Sequence, residues 1–334
     1  MFSDTGFMRP FRDAALYTDT EGWVDNDYFL LFCRFEPGRC AGSDSGKAHP
    51  ILGWGGDFDL VSYLHRDADS VGSRRPVLLY GDSFAACALL SGQRNEAQCF
   101  QGLLNPDPEF SRNHFLLNYG VGAYGLDQIY RLIEHSVDRF ANPFVIVSLM
   151  TWDLDRSVVT NRTGVKPYAD VVDGRLVLRA PPTAEPSGQQ GKPQLHIVSY
   201  LCRLWLYHDG RLTRLRNQLR GVHAKQHYKM VVSGALLEEI VNRLRQRGVE
   251  FIFLVFYPAA EVPNDDGWRQ QFLEGWLQEN GVPYLTTQPI VRQHMATSGR
   301  KLRDYYIPDD GHPTLLQNEI VAAALKETVL KSAR

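Results

Sequence analysis

The chain lacks a surplus of either charge: 36 basic side chains stand against 38 acidic ones over 334 residues. That balance removes the electrostatic reason to expect nucleic acid or an anionic membrane as the main partner. Long apolar runs are missing too. No stretch approaches the roughly 18–20 uninterrupted apolar residues of a spanning helix, so no membrane span is expected. The first residues, MFSDTGFMRPFRDAAL, lack the apolar core of a signal peptide, and the expectation is an unexported, cytoplasmic protein. Cysteine is scarce. The five residues Cys33, Cys40, Cys87, Cys99 and Cys202 form no CxxC pair and have no matching histidine spacing, which argues against a structural zinc site. Cys33 and Cys40 could approach each other across Pro37-Gly38, but the plain reading is reduced, partly buried thiols. His196, His208, His223 and His227 are scattered without metal-ligand spacing. No metal or organic cofactor is expected, and no internal repeat is visible.

What is present is an alternation. Five short apolar, β-rich runs, Pro76 to Tyr80, Phe115 to Tyr119, Phe144 to Met150, Glu250 to Tyr257 and Pro283 to Thr287, are separated by helical patterns. Leu126, Ile129, Tyr130, Ile133 and Val137 recur at helical spacing, as do Leu236, Leu237, Ile240, Val241 and Leu244. Strands alternating with helices predict a parallel, doubly wound α/β sheet with helices on both faces.

Two regions break the alternation. Residues 1–74 are rich in aromatics, glycine and aspartate with little periodicity, and read as an N-terminal extension packed on a core domain of residues 75–334. The second, from about 157 to 230, reads as an insertion after the third strand. It holds the hairpin signal Asp173-Gly174, then the polar stretch PPTAEPSGQQGKP, expected to be flexible. Its basic run RLTRLRNQLR places Leu212, Leu215 and Leu219 on one face, which suits a solvated amphipathic helix better than a nucleic-acid contact. Asn161-Arg-Thr163 is a glycosylation sequon only in a secreted eukaryotic protein.

The strongest local signal is VLLYGDSFAACALL, an apolar strand ending in Gly81-Asp82-Ser83 and running into a small-residue helix. A serine there sits where open α/β sheets place ligands and where a helix N-terminus favours developing negative charge. Alone, Gly-Asp-Ser is also an ordinary turn and N-cap. The far end of the chain supplies a partner: Tyr305-Tyr-Ile-Pro-Asp309-Asp310-Gly311-His312-Pro313 precedes a helical pattern from about 314 to 330. A carboxylate three residues before a histidine can fix the imidazole tautomer and leave the other ring nitrogen to take a serine proton. A lone pair of this kind is also consistent with a capped turn.

Taken together these segments resemble the SGNH/GDSL hydrolases, over about residues 75 to 330. The resemblance implies a three-layer, flavodoxin-like fold around a five-stranded parallel sheet. It also implies Ser83 as nucleophile, His312 as base and Asp309 as the residue that orients it; Asp310 is adjacent but has the wrong spacing for the family pattern. The family's second block corresponds to Asn118-Tyr-Gly-Val-Gly-Ala-Tyr-Gly125, where an oxyanion-hole amide falls at Ala123 or Gly122, beside that of Ser83 itself. Alanine keeps the amide in place only if the local φ is negative or tolerated. In the third block, Ser148-Leu-Met-Thr-Trp-Asp153, the family's asparagine is replaced by Trp152, whose indole N–H is a candidate replacement donor, although a side chain that packs or forms a wall of the acyl pocket is the plainer reading.

The same loop carries a rival. Gly120-x-Gly122-x-x-Gly125 is literally the dinucleotide-binding GxGxxG, but Asp153 and Asp155 come nearly 30 residues after it rather than about 20. That reading also leaves Ser83 and His312 unexplained. The expected function is cleavage of an acyl ester, small-molecule or glycan, with a small acyl group on a carbohydrate preferred. The alternatives are an O-acyltransferase using the same acyl-enzyme, and a catalytically silent SGNH-like domain that binds a glycan.

Overall fold

The computed structural model describes residues 48–56, 58–87, 99–159, 166–180, 222–265, 267–308 and 310–332. The elements in chain order are β1 (Arg75–Gly81), α1 (Ser83–Ala86), α2 (Phe100–Leu104), β2 (His114–Gly120), α3 (Leu126–Ser136), β3 (Phe144–Met150) and α4 (Asp153–Arg156). After an antiparallel hairpin of Tyr168–Val172 and Arg175–Arg179 come α5 (Val222–Gln246), β4 (Glu250–Phe256), α6 (Trp268–Glu279), β5 (Tyr284–Thr286), α7 (Thr287–Ser298) and α8 (Leu315–Ser332).

The five main strands form one sheet in the order β2-β1-β3-β4-β5, and every neighbouring pair is parallel. Each expected strand is present to within a residue at each end. Their sequences are nearly continuous apolar runs because both faces of a parallel sheet are covered: Val77, Leu78, Leu79 and Tyr80 are all fully buried. The chain steps one way from β1 to β2 and the other way from β2 through β5. Right-handed crossovers therefore put α2 on one face and α3, α5 and α6 on the other. Packing agrees: α3 lies against α5, while α8 returns to pack with α2 and α7. The sheet order reverses beside β1, and in such sheets the crevice at that point, outside the carboxyl ends of the strands, is where ligands bind.

Residues 48–56 and 58–71 of the expected extension lie on this core. Leu52, Trp54, Phe58, Tyr63 and Val71 are buried in it, and three hydrogen bonds tie the segment to the loop after β2 and to the start of α3. Trp54 Nε1 donates to Gly122 O at 3.0 Å, Tyr124 Oη to Trp54 O at 2.6 Å, and Gln128 Nε2 to Leu52 O at 2.7 Å. Of the expected insertion, the hairpin is present with Asp173-Gly174 at its turn, and the expected boundary near 230 falls inside α5. Lys166 anchors the hairpin's entry: its fully buried ammonium pairs with Asp127 of α3 at 3.0 Å and donates to the carbonyls of Arg156, Val159 and Pro167. The sequon, the Pro/Gly-rich stretch, the basic run, His196, His208 and Cys33, Cys40 and Cys202 lie outside the described residues. No helix among the described residues is long and apolar enough to cross a membrane.

Candidate active site

Strand β1 ends level with β2, Gly81 opposite Gly120, and the chain turns at once into α1. Asp82 caps that helix, its Oδ1 accepting the Phe84 N–H at 2.9 Å. Ser83 is the first helical residue, and its N–H is one of the orphan donors of a helix start. Small side chains make this turn possible. A Cβ on Gly81 would lie 2.7 Å from Ala85 Cβ and 2.8 Å from Ser148 Cβ, and one on Gly120 would lie 2.5 Å from Ala86 N. Glycine at both strand ends lets α1 sit directly on the sheet edge.

His312 reaches this turn from the loop before α8. Its Nε2 lies 2.8 Å from Ser83 Oγ, and its ring packs against Phe84 with centroids 5.3 Å apart. Both side chains are mostly buried. The other ring nitrogen, Nδ1, is in short contact with Asp310 Oδ1. The same Asp310 oxygen accepts the His312 N–H at 3.1 Å, which is the turn an Asx side chain makes with the backbone two residues on. Gly311 between them has φ of 79°, the left-handed conformation that folds the carboxylate back. The expected partner, Asp309, lies outside the described residues. Among the described ones, the carboxylate on His312 Nδ1 is that of Asp310.

The second-block loop leaves β2 beside the serine turn, with Val121 N–H donating to Gly81 O at 3.0 Å. Among the described residues, the N–H groups of Gly122 and Ala123 have no acceptor. Ala123 adopts φ of 64°, so the alanine sits in a left-handed conformation at a cost of roughly 1–2 kcal/mol. A strained backbone held at a strand-end loop suits a residue kept for the direction of its amide. The dinucleotide alternative is answered by the same atoms. Gly125 N–H at the start of α3 is taken by Gln128 Oε1 at 3.2 Å, and Asp127 carries negative charge into the first turn.

Trp152 requires a correction. Its indole has one hydrogen, and that hydrogen goes to Glu261 Oε1 at 3.0 Å, while Thr151 Oγ1 donates to Glu261 Oε2 at 2.7 Å. The third-block loop is thus clamped to the loop after β4, and the indole hydrogen is committed to Glu261. Asp153 is buried and also holds its own loop: Oδ2 accepts Met150 N–H at 2.8 Å and Oδ1 accepts Arg156 Nη1 at 2.6 Å. Burial, and then the charge of Asp82, push its carboxyl above the usual carboxylate range against the pull of Arg156.

Sequence reasoning missed Glu261, Arg156 and the place of Asp310. Glu261 and Arg156 act through partners far away in the chain. Asp310 has the wrong spacing for the family pattern, so spacing alone does not pick it out. Among the described residues no group of three or more His, Cys, Asp or Glu side chains converges to hold a metal ion.

No family model and no curated protein matches the sequence. Among solved structures, the chain is similar to a two-domain esterase active on acetylated mannans, at 11% identity and a TM-score of 0.42, covering 79% of this chain and 51% of that one, about half its length. It is also similar to an acetylxylan esterase from Geobacillus stearothermophilus, at 14% identity and a TM-score of 0.43, covering 77% and 94% of the two chains. Likeness at this level describes an arrangement of chain; what the chain does is carried by its own residues.

Proposed function

We propose that the chain is a serine ester hydrolase with Ser83 as nucleophile, His312 as general base and Asp310 as the orienting carboxylate. One observation carries the reading: two residues 229 positions apart meet at 2.8 Å, Ser83 Oγ on His312 Nε2, with a carboxylate on the opposite ring nitrogen. In this reading Nδ1–H donates to Asp310, so Nε2 is unprotonated and accepts from the serine hydroxyl. As Ser83 Oγ attacks the acyl carbonyl, its proton passes to Nε2. The oxyanion is held by the N–H groups of Ser83 and of Gly122 or Ala123. Collapse breaks the ester C–O bond, the leaving alcohol takes the proton from Nε2, and water repeats the sequence on the acyl-enzyme. A serine already in hydrogen-bond reach of its base favours a working site over a silent binding domain. A small acyl group on a carbohydrate is the narrower substrate class to assay first, on the strength of the sequence resemblance.

The test is turnover of p-nitrophenyl acetate and labelling by a fluorophosphonate. Ser83→Ala and His312→Ala should each lower kcat by about 10⁴-fold or more, and Ser83→Ala should abolish labelling. The two carboxylates are separated by Asp310→Asn and Asp309→Asn, of which the first should be the more damaging. Equal turnover in wild type and Ser83→Ala would refute the esterase reading, and a larger loss at Asp309 would return the orienting role to that residue.

A further inference from the structure

The loops that follow β1, β2 and β3 meet on one buried guanidinium. Arg156 Nη1 donates to Asp82 Oδ2 at 3.1 Å, to Tyr124 O at 3.2 Å and to Asp153 Oδ1 at 2.6 Å. Asp82 immediately precedes Ser83, Tyr124 immediately follows Ala123, and Asp153 opens the helix after Trp152. The arginine side chain is 6% exposed and both carboxylates are fully buried. Room for it comes from a glycine: a Cβ on Gly125 would lie 2.9 Å from Arg156 Cβ and 3.0 Å from its carbonyl carbon. Lys166 Nζ holds Arg156 from behind through its carbonyl at 3.0 Å.

Resting on the esterase reading, we propose that Arg156 is a positioning residue that keeps Ser83 and the Gly122–Ala123 amides in register. Two buried carboxylates this close repel each other unless a cation lies between them. The guanidinium supplies that charge from one nitrogen, Nη1, which touches all three loops, a position that a lysine ammonium stops one bond short of. The role matters more here than where a third-block asparagine reaches the oxyanion itself. With Trp152 committed to Glu261, the oxyanion depends on backbone amides, and their aim depends on how the loops are tied together. Misplacement by about 1 Å is enough to cost about 10²-fold in rate.

The experiment compares wild type, Arg156→Lys and Ser83→Ala for kcat and KM on p-nitrophenyl acetate, for the rate of fluorophosphonate labelling and for thermal midpoint. Lysine keeps the charge but stops one bond short of the Nη1 position that touches the three loops. The expected result is a kcat and a labelling rate lowered by about 10²-fold, with KM within about threefold of wild type. A lowered midpoint with wild-type kcat per folded molecule would show a merely structural role and overturn the proposal. If Arg156→Lys does not fold, Asp153→Asn serves instead. It keeps the guanidinium on Asp82 and, because both Asp153 oxygens accept hydrogen bonds, sets an amide NH2 against either Arg156 or Met150 N–H, so it should show the same kcat-selective loss, and wild-type kcat there overturns the proposal. Failure of the underlying reading looks different: wild type and Ser83→Ala would then be indistinguishable, whatever Arg156→Lys does.

Discussion

Trp152 shows how a single residue can be identified from the sequence while the partner of its one donor stays out of view. Its position three residues after β3's penultimate leucine is readable from the sequence, and so is the absence of the asparagine. The destination of its one N–H is not, because Glu261 lies 109 residues further along. From the observed bond, Trp152→Phe should cost about 1–2 kcal/mol of stability, the worth of a part-exposed hydrogen bond to a charged group. Turnover should fall far less than the about 10²- to 10³-fold expected for a lost oxyanion donor. Chemical denaturation and steady-state kinetics on the same preparation check both; a 10²-fold fall in kcat at unchanged stability would restore the donor role. Asp310 carries the same lesson over a shorter distance. Spacing points to Asp309, which lies outside the described residues, while Gly311 at positive φ brings Asp310 onto the ring, and a glycine's handedness is a backbone choice that one sequence leaves open.

At the scale of elements, the glycines of the second-block loop are there for close packing. Gly120 admits the backbone of α1, and Gly125 admits Arg156. GxGxxG and this loop share a spacing because both bring a helix tightly against a strand end, and only the neighbours tell them apart. Gly120→Ala should therefore push α1 off the sheet edge. Its Cβ would sit 2.5 Å from Ala86 N, a backbone atom that cannot swing aside. We expect a loss of about 1–3 kcal/mol, as for other overpacked sites, together with a kcat loss, because Ser83 rides on the displaced helix. A variant with wild-type melting temperature and kcat would show that the sheet edge tolerates the added atom.

For the whole molecule, the pH response of stability should carry the mark of a buried neutral histidine. His114 begins β2, is almost fully buried, and packs at a tilt against Phe110 with ring centroids 5.5 Å apart. Burial, and then the nearby charge of Arg75, hold its pKa below the ordinary value of 6.5. A group whose folded pKa lies below its unfolded one binds fewer protons when folded. Its contribution is fully present above about pH 6.5 and is lost as pH falls through that value toward the folded pKa. Urea denaturation at pH 7.5 and 5.5 should show wild type losing stability at the lower pH, with His114→Phe losing less. Equal losses in the two proteins would assign the effect to other groups.

The sheet, its strand boundaries and the Ser83 turn were readable from the sequence because they rest on local facts: the two-sided burial of a parallel strand writes a continuous apolar run, and a strand-to-helix turn needs small residues next to one another. The pairing of Ser83 with His312 was readable only through resemblance, since no local rule joins residues 229 positions apart. Tertiary structure alone decided that Asp310 meets His312, where the Trp152 hydrogen goes, and that Arg156 joins three loops. Each of these is a contact between side chains brought together by the sheet order, and the energy of such a contact depends on distances that exist only once the chain has folded.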